Sequence, residues 1–409
     1  MLNIDKKSKS HRTKGRDLNR FWRIAMKKFV SAFQFYLAAP FILFSGAALA
    51  QSSVSLYGIV EDGFIYTNNQ KGGSVVQATT GQTNTSRWGM TGAEDLGGSY
   101  KAVFTLENGF DTSTGKLGQN GRLFGRSSFV GIAAPFGTIT AGRQYEPLSQ
   151  YVGALSSAIR WAGWTGAHPG DVDNMQSTIR FDNSVQYASP NLSGLLFKAM
   201  YAPGGQPGSF TKQRAMSFGV GYKVGSLSLA AGYLNVNDPS ISAYGGTTLP
   251  GQTGYTSPVT SPVYSGYASA ETLQIAAIGG VYQIGAFDIG VIYSNTRFKN
   301  IDFTPTTPHR GGTPQFNDLE ANVLYRIIPS LQAGGAFIYS RTGTAQYLQW
   351  NAGLNYALSR MTDIGLVTVW QRAMGTDSTG APAVANIQSL TASSTSSQVA
   401  VRVNLRHRF

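Results

Sequence analysis

From residue 53 to the last residue the chain alternates apolar and polar side chains with a period of two, segment after segment. Period two with one uniformly apolar face marks a β-strand, because successive side chains leave opposite faces of the pleat. The last segment is the clearest. One parity carries Val399, Val401, Val403, Leu405, His407 and Phe409, and the other carries Arg402, Asn404, Arg406 and Arg408. Residues 100–107 divide the same way, with Tyr100, Ala102, Phe104 and Leu106 set against Lys101, Thr105 and Glu107. The pattern predicts sixteen strands, at 53–67, 84–94, 99–109, 122–133, 138–145, 179–189, 194–202, 213–224, 226–236, 270–284, 286–298, 316–328, 330–342, 345–359, 361–373 and 397–409.

The connections alternate in length. Those at 135–137, 190–193, 225, 285, 329 and 360 are short, and most carry the Pro, Gly, Asn or Ser that tight hairpins require. Those at 68–83, 110–121, 146–178, 203–212, 237–269, 299–315 and 374–396 are long and polar, with one short exception near Gly343. An even strand count with short turns at one end and long loops at the other describes an all-β, antiparallel transmembrane barrel of the outer-membrane kind. In hydrocarbon every backbone group must be paired within the protein, and a closed sheet leaves no edge. A soluble sandwich or propeller of this size would need an internal repeat or a domain break, and the sequence has neither. Sixteen strands enclose a lumen wide enough for water, so the inward parity is expected to be polar. Tyrosines near strand ends (Tyr66, Tyr145, Tyr201, Tyr233, Tyr293, Tyr356) fit interfacial girdles.

Composition narrows the picture. Charged residues are only 13% of the 409, roughly half the usual share of about 25%. There is no Cys, which excludes disulfide scaffolds, thiolate metal sites and Cys nucleophiles. The histidines His11, His168, His309 and His407 are scattered, so no metal or cofactor is expected. The net charge of +13 suggests a nucleic-acid partner until it is located: residues 1–28 hold ten Lys/Arg and two acids, while 51–409 hold 23 and 18. Nucleic acid is therefore not expected. Residues 29–50 are uncharged and end in Ala48-Leu49-Ala50. A basic start, an apolar stretch and a small-x-small ending describe a secretory signal peptide over 1–50, with Met26 the expected initiator and cleavage after Ala50. That leaves one barrel domain, 51–409. A retained transmembrane anchor is the competing reading of the same stretch.

An ordered set of short motifs runs through the mature chain. It opens with Ser53-Val54-Ser55-Leu56-Tyr57-Gly58, followed by Ser86-Arg87-Trp88-Gly89 and Gly92-Ala93-Glu94-Asp95-Leu96-Gly97. Gly125-Arg126-Ser127-Ser128-Phe129-Val130-Gly131 follows, then Phe136-Gly137 running into Gly142-Arg143-Gln144, and Asn183-Ser184-Val185-Gln186-Tyr187. Leu405-Arg406-His407-Arg408-Phe409 closes the chain. In order and spacing the set resembles the general bacterial porins, trimeric barrels of sixteen strands, and most of all their β-proteobacterial branch. The resemblance implies a homotrimer in outer-membrane lipid and lipopolysaccharide, passing small hydrophilic solutes and ions. It also implies that the barrel-assembly machinery reads the terminal Phe409.

In that family the third extracellular loop folds into the barrel, and its acids face an arginine cluster on the wall. Matching motifs place the wall arginines at Arg87, Arg126 and Arg180, with Arg122 on the same parity as Arg126. The loop is 146–178, and Asp171, Asp173 and Glu146 are its candidate facing acids, although the family's Pro-Glu-Phe-Gly-Gly loop motif is absent. Glu61 shares the lumen parity of the first strand with Tyr57 and Ile59. Arg143 falls by parity with Ile139 and Ala141, which points outward and suggests a strand-end or subunit-interface residue. Opposed charges across a narrow pore create a transverse field that orients dipolar solutes.

Three other functions compete with a general diffusion channel of mild anion preference. A barrel lipase needs a Ser–His pair, and His168 and His309 lie in loops while His407 points outward, so no enzyme is expected. A non-conducting adhesin or structural barrel would be plugged by bulky residues, whereas the polar parities here are rich in Gly, Ser and Thr. A channel specific for anionic solutes would use a basic row, for which Arg402, Arg406 and Arg408 with Arg122 and Arg126 are candidates.

Overall fold

The computed structural model describes residues 53–302, 304 and 311–409. The leader read over 1–50 lies outside the described residues, as do His11 and His309. The strands are β1 (Ser53–Gln70), β2 (Gly73–Thr80), β3 (Arg87–Gly97), β4 (Tyr100–Gly109), β5 (Ser127–Ala134), β6 (Gly137–Tyr145), β7 (Arg180–Ala188), β8 (Leu195–Ala202), β9 (Ala215–Val224), β10 (Leu227–Asn237), β11 (Ala270–Ile284), β12 (Phe287–Ile301), β13 (Gln315–Ile328), β14 (Leu331–Arg341), β15 (Ala345–Ala357), β16 (Thr362–Gly375) and β17 (Ser397–Arg408). Each pairs antiparallel with its neighbours, and β17 pairs back onto β1 from Ile59↔Arg408 to Thr67↔Ala400, which closes the barrel.

Seventeen segments make sixteen staves. β3 pairs with β1 along Ser53–Ile59 and β2 pairs with it along Asp62–Gln70, so the two share one stave interrupted at 81–86. This differs from the sequence pattern, which read 68–83 as loop. The first hairpin is longer than expected and turns at Lys71-Gly72. The segment expected at 122–133 begins only at Ser127, so Arg122 lies before the strand rather than on it.

Burial is inverted relative to a soluble protein. On β17 the polar parity, Arg402, Asn404 and Arg406, is buried, while Val403 and Leu405 are exposed. Phe64, Val130, Ile278, Ile289, Val291, Leu319 and Leu366 continue the apolar outer face. Apolar residues face outward because lipid is their solvent, and charges are tolerated only on the inside. The inner face is not polar throughout, as the pattern had suggested. Leu234, Val236, Leu273, Ile275, Ile292, Phe298 and Phe316 are buried in one cluster with Leu148, Val152, Val172 and Met175 of segment 146–178. Where the segment covers the wall, both faces of the strands are dry. That is why the sequence there runs nearly continuously apolar, as in Gln274-Ile275-Ala276-Ala277-Ile278.

Candidate functional site

The interruption in the second stave is built by Glu61. Its carboxylate accepts from the backbone N–H of Thr83 (2.6 Å) and Asn84 (3.0 Å), and its own N–H donates to Ser86 Oγ (3.0 Å). Buried and fully engaged, Glu61 holds the break that lets Arg87 begin β3. It braces the wall and does not join the arginine cluster.

Arg87, Arg126 and Arg180 converge. They line one cavity of 350 Å³ together with Glu107, Tyr145, Gln150, Trp164, Gln176 and Ser177. Register explains the meeting: Glu107 on β4 lies opposite Gly89 on β3 and Ser127 on β5, between the two strands that bring Arg87 and Arg126. Arg126 Nε donates to Glu107 Oε1 (2.8 Å), Arg87 Nε is 3.8 Å from Oε2, and the Tyr57 hydroxyl donates to Oε2 (3.0 Å). Arg180 donates to the Tyr145 hydroxyl (2.8 Å) and to Thr178 O (3.0 Å), and its guanidinium lies 4.4 Å from the Tyr145 ring centroid. A cation over an aromatic face is attracted to its quadrupole, so Tyr145 holds Arg180 without cancelling its charge. Three guanidiniums against one carboxylate leave a positive surplus.

The acids expected to face the trio sit elsewhere. Glu146 caps the helical turn Pro147–Tyr151, accepting from Leu148 N (2.6 Å) and Ser149 N (2.8 Å), and also from Ser217 Oγ and Asn174 Nδ2. Its burial pushes the carboxyl up, against the pull of these donors. Asp171 accepts from Gln176 N (2.9 Å) and Thr178 Oγ1 (2.9 Å), and burial, reinforced by the charge of Asp173, pushes it up to about 7. Asp173 accepts from Ser294 Oγ (2.5 Å) and sits 2.7 Å from His168 Nδ1, whose Nε2 is 3.0 Å from Glu320 on β13. Burial opposes charge on His168, yet Asp173 and Glu320 outweigh it and hold the imidazole protonated well above 6.5. All four acids, Glu61 included, are spent on internal hydrogen bonds. The acid at the trio is Glu107, which parity had already placed on the polar face of its strand; only the pairing of strands revealed its partners.

The buried segment is pinned to the far wall. Ser157 N donates to Glu320 Oε1 (2.7 Å), Arg160 pairs with Asp288 on β12 (2.6 Å), and Gln349 and Asn351 on β15 donate to Ala167 O and Gly166 O. Arg402 on β17 donates to Ala162 O (3.1 Å). Trp161 lies against Gly334 on β14 and Gly353 on β15, where a side chain at either glycine would meet its ring. His168, Asp173 and Asp318 hold ligand-type atoms within 4.8 Å of one another. Glu320, Ser294 and Ser340 already engage those atoms, which makes the group a docking contact.

Arg122 and Arg143 form a separate group. Both bond Asp182, Arg122 Nη1 at 2.8 and 3.0 Å and Arg143 Nη1 at 2.6 Å. Arg143 also donates to Gly125 O (2.7 Å). Arg143 keeps the parity of Ile139 and Ala141, pairs with Ser128 on β5 and lies near the end of β6, as its parity suggested. The bulge is on β7: Gly142 pairs with Ser184 and Gln144 with Phe181, so Asp182 and Asn183 together oppose Arg143. An extra residue resets the alternation. On β7 it turns Phe181 into the buried cluster.

Against known proteins, residues 37–376 match the family model described as Gram-negative porin. The chain is 33% identical over 228 residues to an outer membrane porin protein of Bordetella pertussis, covering 49% of this chain and 59% of that one. It is 36% identical over 170 residues to outer membrane porin protein 32 of Delftia acidovorans, covering 39% and 46%. The matches thus span about half the length of these relatives. Among solved structures, the anion-selective porin from Comamonas acidovorans superposes with a TM-score of 0.69 at 22% identity, over 88% of this chain and all of that one.

Proposed function

The chain belongs to the Gram-negative porin family, and on that premise we propose that it is an outer-membrane diffusion channel for small hydrophilic solutes and ions, with a preference for anions. One observation carries the preference: Arg87, Arg126 and Arg180 line a single cavity whose one carboxylate is Glu107. Low-dielectric walls focus the field of that surplus into the water path, which raises the local concentration of anions. The expected arginine trio is thus kept as the constriction, with Glu107 in place of Asp171, Asp173, Glu146 and Glu61, and without Arg122. The names of the relatives support the reading, one of the similar structures being of an anion-selective porin.

The proposal extends to the whole protein. The mature chain begins at Gln51 after removal of the leader, assembles as a homotrimer in outer-membrane lipid and lipopolysaccharide, and reaches the membrane through assembly machinery that reads Phe409. Porins are channels, and the buried His168 contacts serve docking rather than acid–base chemistry.

The test is planar-bilayer recording of the purified protein under a potassium chloride gradient. The expected result is an open channel whose reversal potential favours chloride, with the preference falling stepwise in Arg87→Ala, Arg126→Ala and Arg180→Ala. A folded barrel that passes no current, or one whose selectivity ignores all three substitutions, would overturn the reading.

A further inference from the structure

The pairing of arginines with acids repeats one unit. Arg87–Glu107–Arg126, Arg122–Asp182–Arg143, Arg160–Asp288–Arg326 and Arg406–Asp363–Arg408 each set one carboxylate between two guanidiniums. Each unit therefore keeps one positive charge. The first is the constriction; the Asp182 unit adjoins it, with Arg143 Nη1 donating to Arg180 O (3.4 Å), and the other two lie away from it. The Asp182 unit joins the segment before β5 to the long-loop ends of β6 and β7. The Asp288 and Asp363 units sit at the short-turn end, where β12 and β16 begin and β13 and β17 finish.

The two arms of each of these three units differ. One arm is enclosed and multiply bonded: Arg143, Arg160 and Arg406 leave 19%, 13% and 10% of their side-chain surface exposed. Beyond the carboxylate, they donate to Gly125 O, Asn322 Oδ1 and Asn84 Oδ1 respectively. The other arm is open: Arg122, Arg326 and Arg408 expose 50%, 36% and 38%. Each open arm donates to its carboxylate through one terminal nitrogen only, leaving its other side-chain nitrogens without an acceptor among the described residues. The carboxylate thus aims a guanidinium whose remaining donors are free, and two free N–H groups in a rigid fork match two oxygens of a carboxylate or phosphate.

We infer that the Asp182, Asp288 and Asp363 units are docking stations for oxyanions at the two mouths of the channel. Solutes bearing a carboxylate or phosphate are held at Arg122 at the long-loop end and at Arg326 and Arg408 at the short-turn end, before and after the constriction. The inference rests on the proposed anion-preferring channel and adds a solute class and two further places of contact. An open arm in water contributes little by itself, on the scale of an exposed ion pair. Its effect is therefore local and shows as sidedness.

The experiment uses the full barrel, oriented in a planar bilayer, carrying chloride current while inorganic phosphate is added to one side at a time. Wild type is expected to show phosphate block from both sides. Arg122→Gln should weaken block from one side only, and Arg326→Gln with Arg408→Gln from the opposite side only, each by about fivefold, the equivalent of one exposed ion pair. Arg408→Lys, which keeps the charge and loses the fork, should resemble Arg408→Gln. Heat-modifiable migration in detergent gels confirms that each variant is folded. Chloride preference without phosphate block, block that no substitution changes, or loss that is equal from both sides would overturn the stations while leaving the diffusion channel standing. A wild type with no chloride preference would overturn the channel reading and the stations together.

Discussion

Glu107 is where single-residue chemistry decides most. It accepts from Arg126 and Tyr57 and lies beside Arg87, so it both restrains the cluster and subtracts from its charge. Glu107→Gln should therefore do two opposite things. Anion preference should rise in reversal-potential measurements, because one negative charge leaves the proposed constriction. Stability should fall by about 2 kcal/mol in denaturant titration, because the enclosed Arg126 loses a charged hydrogen bond. If preference falls instead, the trio does not set it. A second residue, Trp161, is seated by the absence of side chains at Gly334 and Gly353. Gly334→Val would place branched carbons where the indole ring lies, at an overpacking cost of about 1–3 kcal/mol. The expected readout is a red shift of tryptophan emission and noisier single-channel current.

Among the elements, segment 146–178 carries the titratable contacts. The raised carboxyl of Asp171 contributes docking stability that is complete below its ordinary value of 3.8 and is lost as pH climbs through about 7. The raised imidazole of His168 contributes stability that is complete below 6.5 and is lost at higher pH still. Asp173 runs the other way. Burial pushes its carboxyl up, but the neighbouring His168 charge outweighs this and holds it below 3.8, so its contribution disappears only as pH falls through that lowered value. The segment should be seated best in mildly acidic solution and loosen above neutrality. Hydrogen exchange of residues 157–173, corrected for intrinsic rates, should be slower at pH 5 than at pH 8. In His168→Gln the part of this difference above pH 6.5 should vanish. Equal protection at both values would mean that the backbone bonds from Gln349, Asn351 and Arg402 alone hold the segment.

At the scale of the whole molecule, closure joins residues more than three hundred positions apart. β1 meets β17 along nine residue pairs, and Gly58 exchanges two backbone hydrogen bonds with Phe409, at 3.0 and 3.1 Å. Deleting Phe409 removes both bonds and should lower barrel stability by about 1–3 kcal/mol. The measurement is the temperature at which the folded band converts to the unfolded one in detergent gels. An unchanged temperature would show that closure is complete without the last residue.

The alternation along the chain was enough to determine the barrel, its sixteen staves and most strand limits, because lipid on one side and water on the other impose period two wherever a strand crosses. It also put Arg402 and Arg406 inside and Val403 and Leu405 outside, as found. Motif order placed Arg87, Arg126 and Arg180 together. What tertiary structure alone decided were the departures from regular alternation and the partners of each charge. The bulge opposite Arg143 resets parity, and the break at 81–86 hides β2 inside a polar stretch. The acids of segment 146–178 read as facing the arginine cluster because the porin resemblance implies acids on that loop. Their roles as cap and docking contact depend on which backbone N–H groups and wall residues come within 3 Å, and only the fold sets that distance.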